Sequence, residues 1–86
     1  MLRDQKRETI CSHVARILRE EREDRGMSMA TLAQRAGLSQ AMISFVEREI
    51  RNPSLDTLLR MAEALELNLG DVLLSAYASA GTTRKD

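Results

Sequence analysis

Hydrophobic residues recur every three to four positions along most of the chain, which is the spacing of an amphipathic α-helix. Glycine and proline are scarce, and runs of β-branched residues, which favour strands, are absent from the sequence. The pattern predicts five helices, over about residues 6–25, 29–36, 40–48, 55–65 and 69–78. We therefore expect an all-α domain with a compact five-helix architecture.

The predicted helix boundaries coincide with residues that suit helix ends. Side chains that can cap the first N–H groups of a helix precede the second to fifth helices, at Ser28, Ser39, Ser54 and Asn68. Gly26 and Gly37 follow the first two helices and suit the left-handed backbone of a C-terminal cap. Pro53 cannot continue the third helix. These capping and helix-ending residues support the division into five helices.

The apolar stripes of these helices supply a predicted core. Their members are Ile10, Val14, Ile17 and Leu18; Leu32, Ala33 and Ala36; Met42, Ile43, Val46 and Ile50; Leu55, Leu58, Leu59, Ala62 and Leu65; and Leu69, Val72, Leu73, Ala76 and Tyr77. Cys11 lies beside Ile10 and Val14, so we interpret it as packing material. A single cysteine cannot form an internal disulfide, and a reducing cytoplasmic setting is the simplest context.

The third helix carries an aromatic residue outside its apolar sector. At about 100° per residue, Phe45 projects roughly 115° from the centre of that sector. Gln40, Ala41, Ser44 and Arg48 occupy the opposite side. Such a face is either merely solvated or a surface that recognises a binding partner.

The second and third helices are separated only by the residues AGLS, positions 36–39. So short a connection favours a steep crossing of the two helices, with Ala33 at the close approach and Gly37 in the turn. Ile43 and Val46 would fill the angle between them. This is the pattern of a helix-turn-helix, whose apolar face the other three helices must cover.

Charge is balanced overall but unevenly distributed. Thirteen basic and thirteen acidic residues give a net charge of zero, which argues against non-specific binding of nucleic acids through a uniformly positive surface. Residues 61–86 carry two basic and four acidic side chains, so a polyanion should dock on the first two-thirds of the chain. No apolar stretch approaches the length of a membrane span, and no membrane partner is expected.

Two segments carry a resemblance to a known family: TLAQRAGLSQAMISFVE, residues 31–47, and RNPSLDTLLRMAEALELNLGDVL, residues 51–73. The chain resembles the lambda-repressor and Cro-like helix-turn-helix domains, also called the xenobiotic-response-element (XRE) family, over about residues 10–74. The resemblance implies a lambda-repressor-like DNA-binding domain. It also implies that the third helix lies in the DNA major groove.

The resemblance implies roles for the outward side of the third helix. Gln40, Ala41, Ser44 and Phe45 match positions that face base edges or their surroundings. Glutamine suits adenine N6 and N7, and alanine suits a thymine methyl group. For Phe45 two interpretations stay open: contact with thymine methyl groups, or packing against its neighbours or a partner protein.

The resemblance also implies contacts with the DNA backbone and an internal ion pair. The positions that match backbone contacts are Gln34, Ser39, Arg48, Arg51 and Asn52, with Arg35 and Arg60 as additional cations. A merely solvated role is the alternative for Gln34. Arg22 and Glu47 match positions that form a structural ion pair between the first and third helices.

The chain departs from the family pattern at four positions. Met29 stands where a phosphate-contacting glutamine is common, and methionine has no N–H group to donate to a phosphate. Glu49 and Ile50 stand where glycine and lysine are common, and a carboxylate near phosphate would be repulsive. Glu66 replaces a glycine before the last helix.

We expect a sequence-specific, repressor-like transcriptional regulator that binds double-stranded DNA as a homodimer in the cytoplasm, associated with the nucleoid. Residues 1–9 would be an N-terminal extension, 10–78 the helix-turn-helix domain and 79–86 a flexible tail. Leu74 and Tyr77 are candidates for the dimer surface, with completion of the core as the alternative.

A protein-interaction module, antitoxin-like or coactivator-like, is the rival function. No enzyme activity, cofactor, metal site or small-molecule ligand is expected, because the sole histidine, His13, has no neighbouring cluster of metal-binding residues. The same lack of a second histidine leaves no catalytic triad to propose.

Overall fold

The computed structural model describes residues 2–81, and five α-helices account for most of them. No strand occurs within this range. In chain order the helices are α1 (Leu2–Asp24), α2 (Met29–Ala36), α3 (Gln40–Glu47), α4 (Leu55–Ala64) and α5 (Leu69–Gly81). The predicted all-α, five-helix architecture is confirmed.

The two terminal helices are longer than predicted. α1 begins at Leu2 rather than near residue 6, and α5 ends at Gly81 rather than near residue 78. Gln, Lys, Arg and Glu at positions 5–8 are good helix formers, and burial of Ala80 holds the last turn of α5. Most of the expected N-terminal extension is thus part of α1. Of the expected tail, residues 82–86 lie outside the described residues.

The four predicted capping residues cap their helices. Ser28, Ser39 and Ser54 each accept a hydrogen bond from the backbone N–H three residues later, at 3.0, 3.0 and 3.1 Å. Asn68 Oδ1 accepts one from Asp71 N at 3.2 Å. Each side chain replaces an intrahelical partner that the first turn lacks, which fixes where each helix begins.

The core lies where α1 packs against α5 and where α2 meets α3 and α4. Its fully buried large side chains are Leu18, Leu32, Ile43, Met61 and Leu65. The short helices α2 and α3 thus share one hydrophobic cluster with the longer elements around them. None of the described helices combines the length and the hydrophobicity needed to cross a membrane.

Several residues predicted for the core are exposed instead. They are Cys11, Ile50, Leu55, Leu59 and Tyr77. Leu55, Leu59 and Tyr77 lie on the flank of an apolar stripe that the neighbouring helices do not cover. Ile50 follows the end of α3 at Glu47 and therefore does not continue the stripe of that helix. Cys11 is exposed for another reason: it lines an open groove of about 550 Å³ between α1 and the segment after α3.

Candidate nucleic-acid interface

The turn between α2 and α3 brings the two helices together through a single left-handed residue. Gly37 has φ +70°, and its N–H donates to the carbonyl oxygens of Ala33 and Gln34. Leu38 N donates to Ala33 O at 2.9 Å, which closes the turn. Only two residues therefore separate Ala36 from the cap Ser39, and the two helices form a helix-turn-helix.

The inward side of α3 is fixed in the scaffold by apolar packing and by an ion pair. Ile43 and Val46 are buried in the hydrophobic core, and Glu47 is 3% exposed. Arg22 Nε donates to Glu47 Oε2 at 2.7 Å, and Arg22 Nη2 donates to Glu47 Oε1 at 3.0 Å. The structure thus brings together the two residues expected to pair, in the bidentate geometry that gives strong hydrogen bonds.

Arg22 joins three parts of the molecule. Its Nη1 donates to Met27 O at 2.7 Å, so the same guanidinium holds α1, the segment before α2, and α3. Hydrogen bonding to Glu47 raises the pKa of Arg22 above its ordinary value, against the opposing effect of burial. Among the described residues, every buried side-chain N or O atom has a hydrogen-bond partner. Orientation of α3 therefore depends on a fully satisfied buried network.

The outward side of α3 is open. Gln40 and Ala41 are exposed, and Ser44 is half-buried. At about 100° per residue, Gln40, Ser44, Arg48 and Ala41 lie within a sector of roughly 100°. The sequence-predicted base-reading residues are thus on one accessible surface, with Phe45 at its edge.

Phe45 is half-buried and lies beneath an arginine from the following loop. Arg51 Cζ is 4.8 Å from the centroid of the Phe45 ring, over its face. This distance is within the range of a cation–π interaction. The ring, for which base contact and packing against neighbours were both left open, is therefore in contact with the arginine expected at the DNA backbone.

The remaining predicted DNA-backbone residues are accessible to solvent. Gln34, Arg48 and Asn52 are exposed. Ser39 is also exposed, although its hydroxyl already accepts the hydrogen bond from Met42 N. Two further cations differ in their contacts: Arg35 is exposed, whereas Arg60 Nε donates to Asp56 Oδ2 at 2.8 Å.

Glu49 is held by a residue that sequence analysis did not single out. Its backbone has φ +59°, and Ser12 Oγ on α1 donates to Glu49 Oε1 at 2.6 Å. A polar residue on the mixed face of α1 gives no sequence signal for such a contact, which joins positions 37 residues apart. The carboxylate expected to repel phosphate is thus engaged by α1.

The only histidine of the chain is engaged with a neighbouring side chain. Arg16 Nη2 donates to His13 Nδ1 at 2.7 Å. Within residues 2–81, no group of three His, Cys, Asp or Glu side chains is arranged to hold a metal ion.

Comparison with known proteins agrees with this geometry. The family model described as helix-turn-helix matches residues 18–72. The chain belongs to the helix-turn-helix family. The resemblance to its XRE-type members, drawn above from the two sequence segments, is thereby confirmed.

Relatives within the helix-turn-helix family are described as regulators. An uncharacterized HTH-type transcriptional regulator of Mycobacterium tuberculosis is 42% identical over 64 residues, which cover 74% of this chain and 43% of that protein. An uncharacterized HTH-type transcriptional regulator of Sinorhizobium fredii is 40% identical over 57 residues, covering 66% of this chain and 29% of that protein. The chain thus spans less than half the length of these curated relatives.

Two solved structures share the fold. The clp gene regulator ClgR from Corynebacterium glutamicum has a TM-score of 0.75 at 27% identity, over 86% of this chain and 79% of that one. A variant of the restriction-modification controller protein C.Esp1396I has a TM-score of 0.73 at 24% identity, over 88% and 97% of the two chains. The second likeness concerns the fold alone.

The helix-turn-helix family commonly has glycine at two positions where this chain has glutamate. Glu49 and Glu66 both have φ +59°, the left-handed conformation that suits glycine. Ile50 N donates to Phe45 O at 2.9 Å, and Leu67 N donates to Ala62 O at 2.8 Å. α3 and α4 thus end with the same type of hydrogen bond, and at both ends a glutamate adopts the left-handed conformation that glycine would favour.

Proposed function

We propose that the chain is a sequence-specific DNA-binding transcriptional regulator whose helix α3 enters the major groove. The observation that carries the proposal is the two-sided construction of α3. Ile43, Val46 and Glu47 are buried, whereas Gln40 and Ala41 are exposed. A helix anchored by one side and open on the other suits the docking geometry of helix-turn-helix proteins. The family match and the regulator relatives support the same function.

In this proposal the residues of the interface divide into two groups. Gln40 hydrogen-bonds adenine N6 and N7, and Ala41 lies against a thymine methyl group. Ser44 meets the neighbouring base edges. The DNA backbone is contacted by Gln34, Ser39, Arg48, Arg51 and Asn52, all of them exposed. Backbone contacts fix the register of α3, and base contacts supply the sequence preference.

We extend the proposal to a homodimer that uses the outer face of α5. Leu74 is 69% exposed and Tyr77 is 54% exposed, and their spacing of three residues places them on one side of the helix. A symmetric dimer would bind two half-sites about 34 Å apart. Leu74→Glu should shift the protein toward the monomer in analytical ultracentrifugation and weaken DNA binding, with unchanged melting. A monomeric wild-type protein would contradict this part of the proposal.

The proposal assigns no catalytic step, cofactor or small-molecule ligand to the chain, and it places the protein in the cytoplasm at the nucleoid. A protein-interaction module with the same fold is the second candidate. It is favoured by the zero net charge and by the exposed apolar pair on α5.

Selection of bound sequences from a random DNA pool separates the two functions. The wild-type protein should enrich a defined site, and Gln40→Ala should relax the preference at one or two base pairs. Gln5→Ala is the matched control, because Gln5 is an exposed glutamine on α1, outside the proposed interface. A pool that shows no enriched sequence would favour the protein-interaction module instead.

A further inference from the structure

The backbone after α3 brings residue 51 back to Phe45, at the edge of the outward side of that helix. Glu49 adopts φ +59°, and Ile50 N donates to Phe45 O at 2.9 Å. This hydrogen bond folds the chain back over the last turn of α3. The guanidinium of Arg51 consequently lies over the ring of Phe45, with 4.8 Å between Cζ and the ring centroid.

Contact with the ring restricts the position of the guanidinium. The five N–H donors of an arginine are its only polar groups, and the ring of Phe45 is not a conventional acceptor for them, so the donors remain available to another partner. Phe45 is half-buried, which limits the movement of the ring, whereas Arg51 is exposed. The pair therefore consists of an anchored ring and a positioned, accessible hydrogen-bond donor.

From this contact we infer that Phe45 is a positioning residue and that Arg51 determines specificity by reading a guanine in the major groove. The inference rests on the proposed function and deepens it, by moving Arg51 from the DNA-backbone contacts to the base contacts. The planar fork of N–H donors on arginine matches the acceptors O6 and N7 of guanine. This contact is the commonest specific contact between a side chain and a base. Phe45 then acts through Arg51 and does not itself contact a thymine methyl group.

The chemistry of the pair gives a prediction for each side chain. Arg51→Lys keeps the charge but loses the planar fork, so the preference for one G·C base pair should fall by about tenfold. Phe45→Leu keeps an apolar side chain but removes the ring, and it should relax the preference at the same base pair by about three- to fivefold. Phe45→Tyr retains a ring and should preserve the preference.

The test is sequence selection followed by affinity measurement on the selected site, with the wild type, Phe45→Leu, Phe45→Tyr, Arg51→Lys and the double variant Phe45→Leu/Arg51→Lys. The double variant should bind no more weakly than Arg51→Lys alone, because the ring acts only through the guanidinium. Circular dichroism melting verifies that each variant is folded. Arg48→Lys is the matched control: it is an exposed arginine at the same end of α3, and its loss of affinity should be equal for all sequences.

Three outcomes would overturn the inference. The first is a weaker preference of Phe45→Leu for a T·A base pair that Arg51→Lys still prefers as strongly as the wild type, which would assign thymine contact to the ring. Equal loss of affinity for all sequences with Arg51→Lys would assign phosphate contact to the arginine. A loss of affinity in the double variant equal to the product of the two single-variant losses would show that Phe45 and Arg51 act independently. In each of these cases the wild type still selects a site, so the proposed function stands. A wild type that selects none removes both proposals at once.

Discussion

The two sides of α3 each use an arginine from elsewhere in the chain, but in opposite environments. On the inward side, Glu47 forms a bidentate ion pair with Arg22, and both residues are less than 10% exposed. On the outward side, the ring of Phe45 lies beneath exposed Arg51. Arg22 and Glu47 hydrogen-bond each other instead of water, whereas the exposed guanidinium of Arg51 keeps N–H donors available for a ligand.

This difference separates stability from binding within an eight-residue helix. Changes on the inward side should lower the free energy of unfolding and disturb binding only as a consequence. Changes on the outward side should leave unfolding nearly unaltered. Predictions follow in order of the size of the expected effect.

Removal of the Glu47 carboxylate should have the largest effect. Glu47→Ala leaves Arg22 as a buried charge without its main partner, which should lower the free energy of unfolding by about 3–5 kcal/mol. Urea denaturation at neutral pH measures the loss. Asp56→Asn is the control, because Asp56 pairs with Arg60 in an exposed salt bridge and its replacement should leave the urea midpoint close to that of the wild type. Equal midpoints for the two variants would show that the buried pair does not anchor α3.

Salt dependence should distinguish the outward side. With about three phosphates neutralised by each subunit of a dimer, the slope of log affinity against log salt concentration should be about −5. Arg48→Ala should bring the slope closer to zero by about 2, because each subunit loses one phosphate contact. Fluorescence anisotropy titrations between 50 and 200 mM salt would provide both slopes. An unchanged slope with a normal urea midpoint would remove Arg48 from the DNA backbone contacts.

The smallest effects should come from the two left-handed glutamates. Glu66→Gly removes the strain of φ +59° and should raise the free energy of unfolding by about 0.5–1 kcal/mol. Glu49→Gly relieves the same strain but also loses the hydrogen bond from Ser12, so its gain should be smaller or absent. Thermal melting of both variants, with Ser12→Ala as a control for the lost hydrogen bond, measures the difference. A larger gain at position 49 than at position 66 would mean that the contact with α1 contributes nothing.

Much of the fold followed from local chemistry. Ser28, Ser39, Ser54 and Asn68 could be recognised because a capping side chain acts on a backbone N–H only three residues away. Burial of Ile43 and Val46 followed from helical periodicity. Periodicity also led to the wrong expectation for Tyr77, since spacing defines a sector of the helix and not the part of that sector that a neighbour covers.

Contacts across the outward side were harder to predict. The contact of Arg51 with Phe45 depends on a left-handed residue between them, and glutamate at position 49 does not signal that conformation in the sequence. The hydrogen bond from Ser12 to Glu49 depends on how α1 packs, which no local pattern encodes. Sequence analysis therefore predicted which residues lie on the exposed side of α3 but not the contacts of Arg51 with Phe45 and of Ser12 with Glu49.

The most direct test of DNA reading by α3 replaces single adenines of the selected site by 7-deazaadenine, which lacks N7 in the major groove. If Gln40 reads adenine through N6 and N7, one such replacement should weaken wild-type binding about 5- to 100-fold and should not weaken Gln40→Ala further. Equal weakening of both proteins, or no weakening of the wild type at any adenine, would contradict the reading of adenine by Gln40 from the major groove.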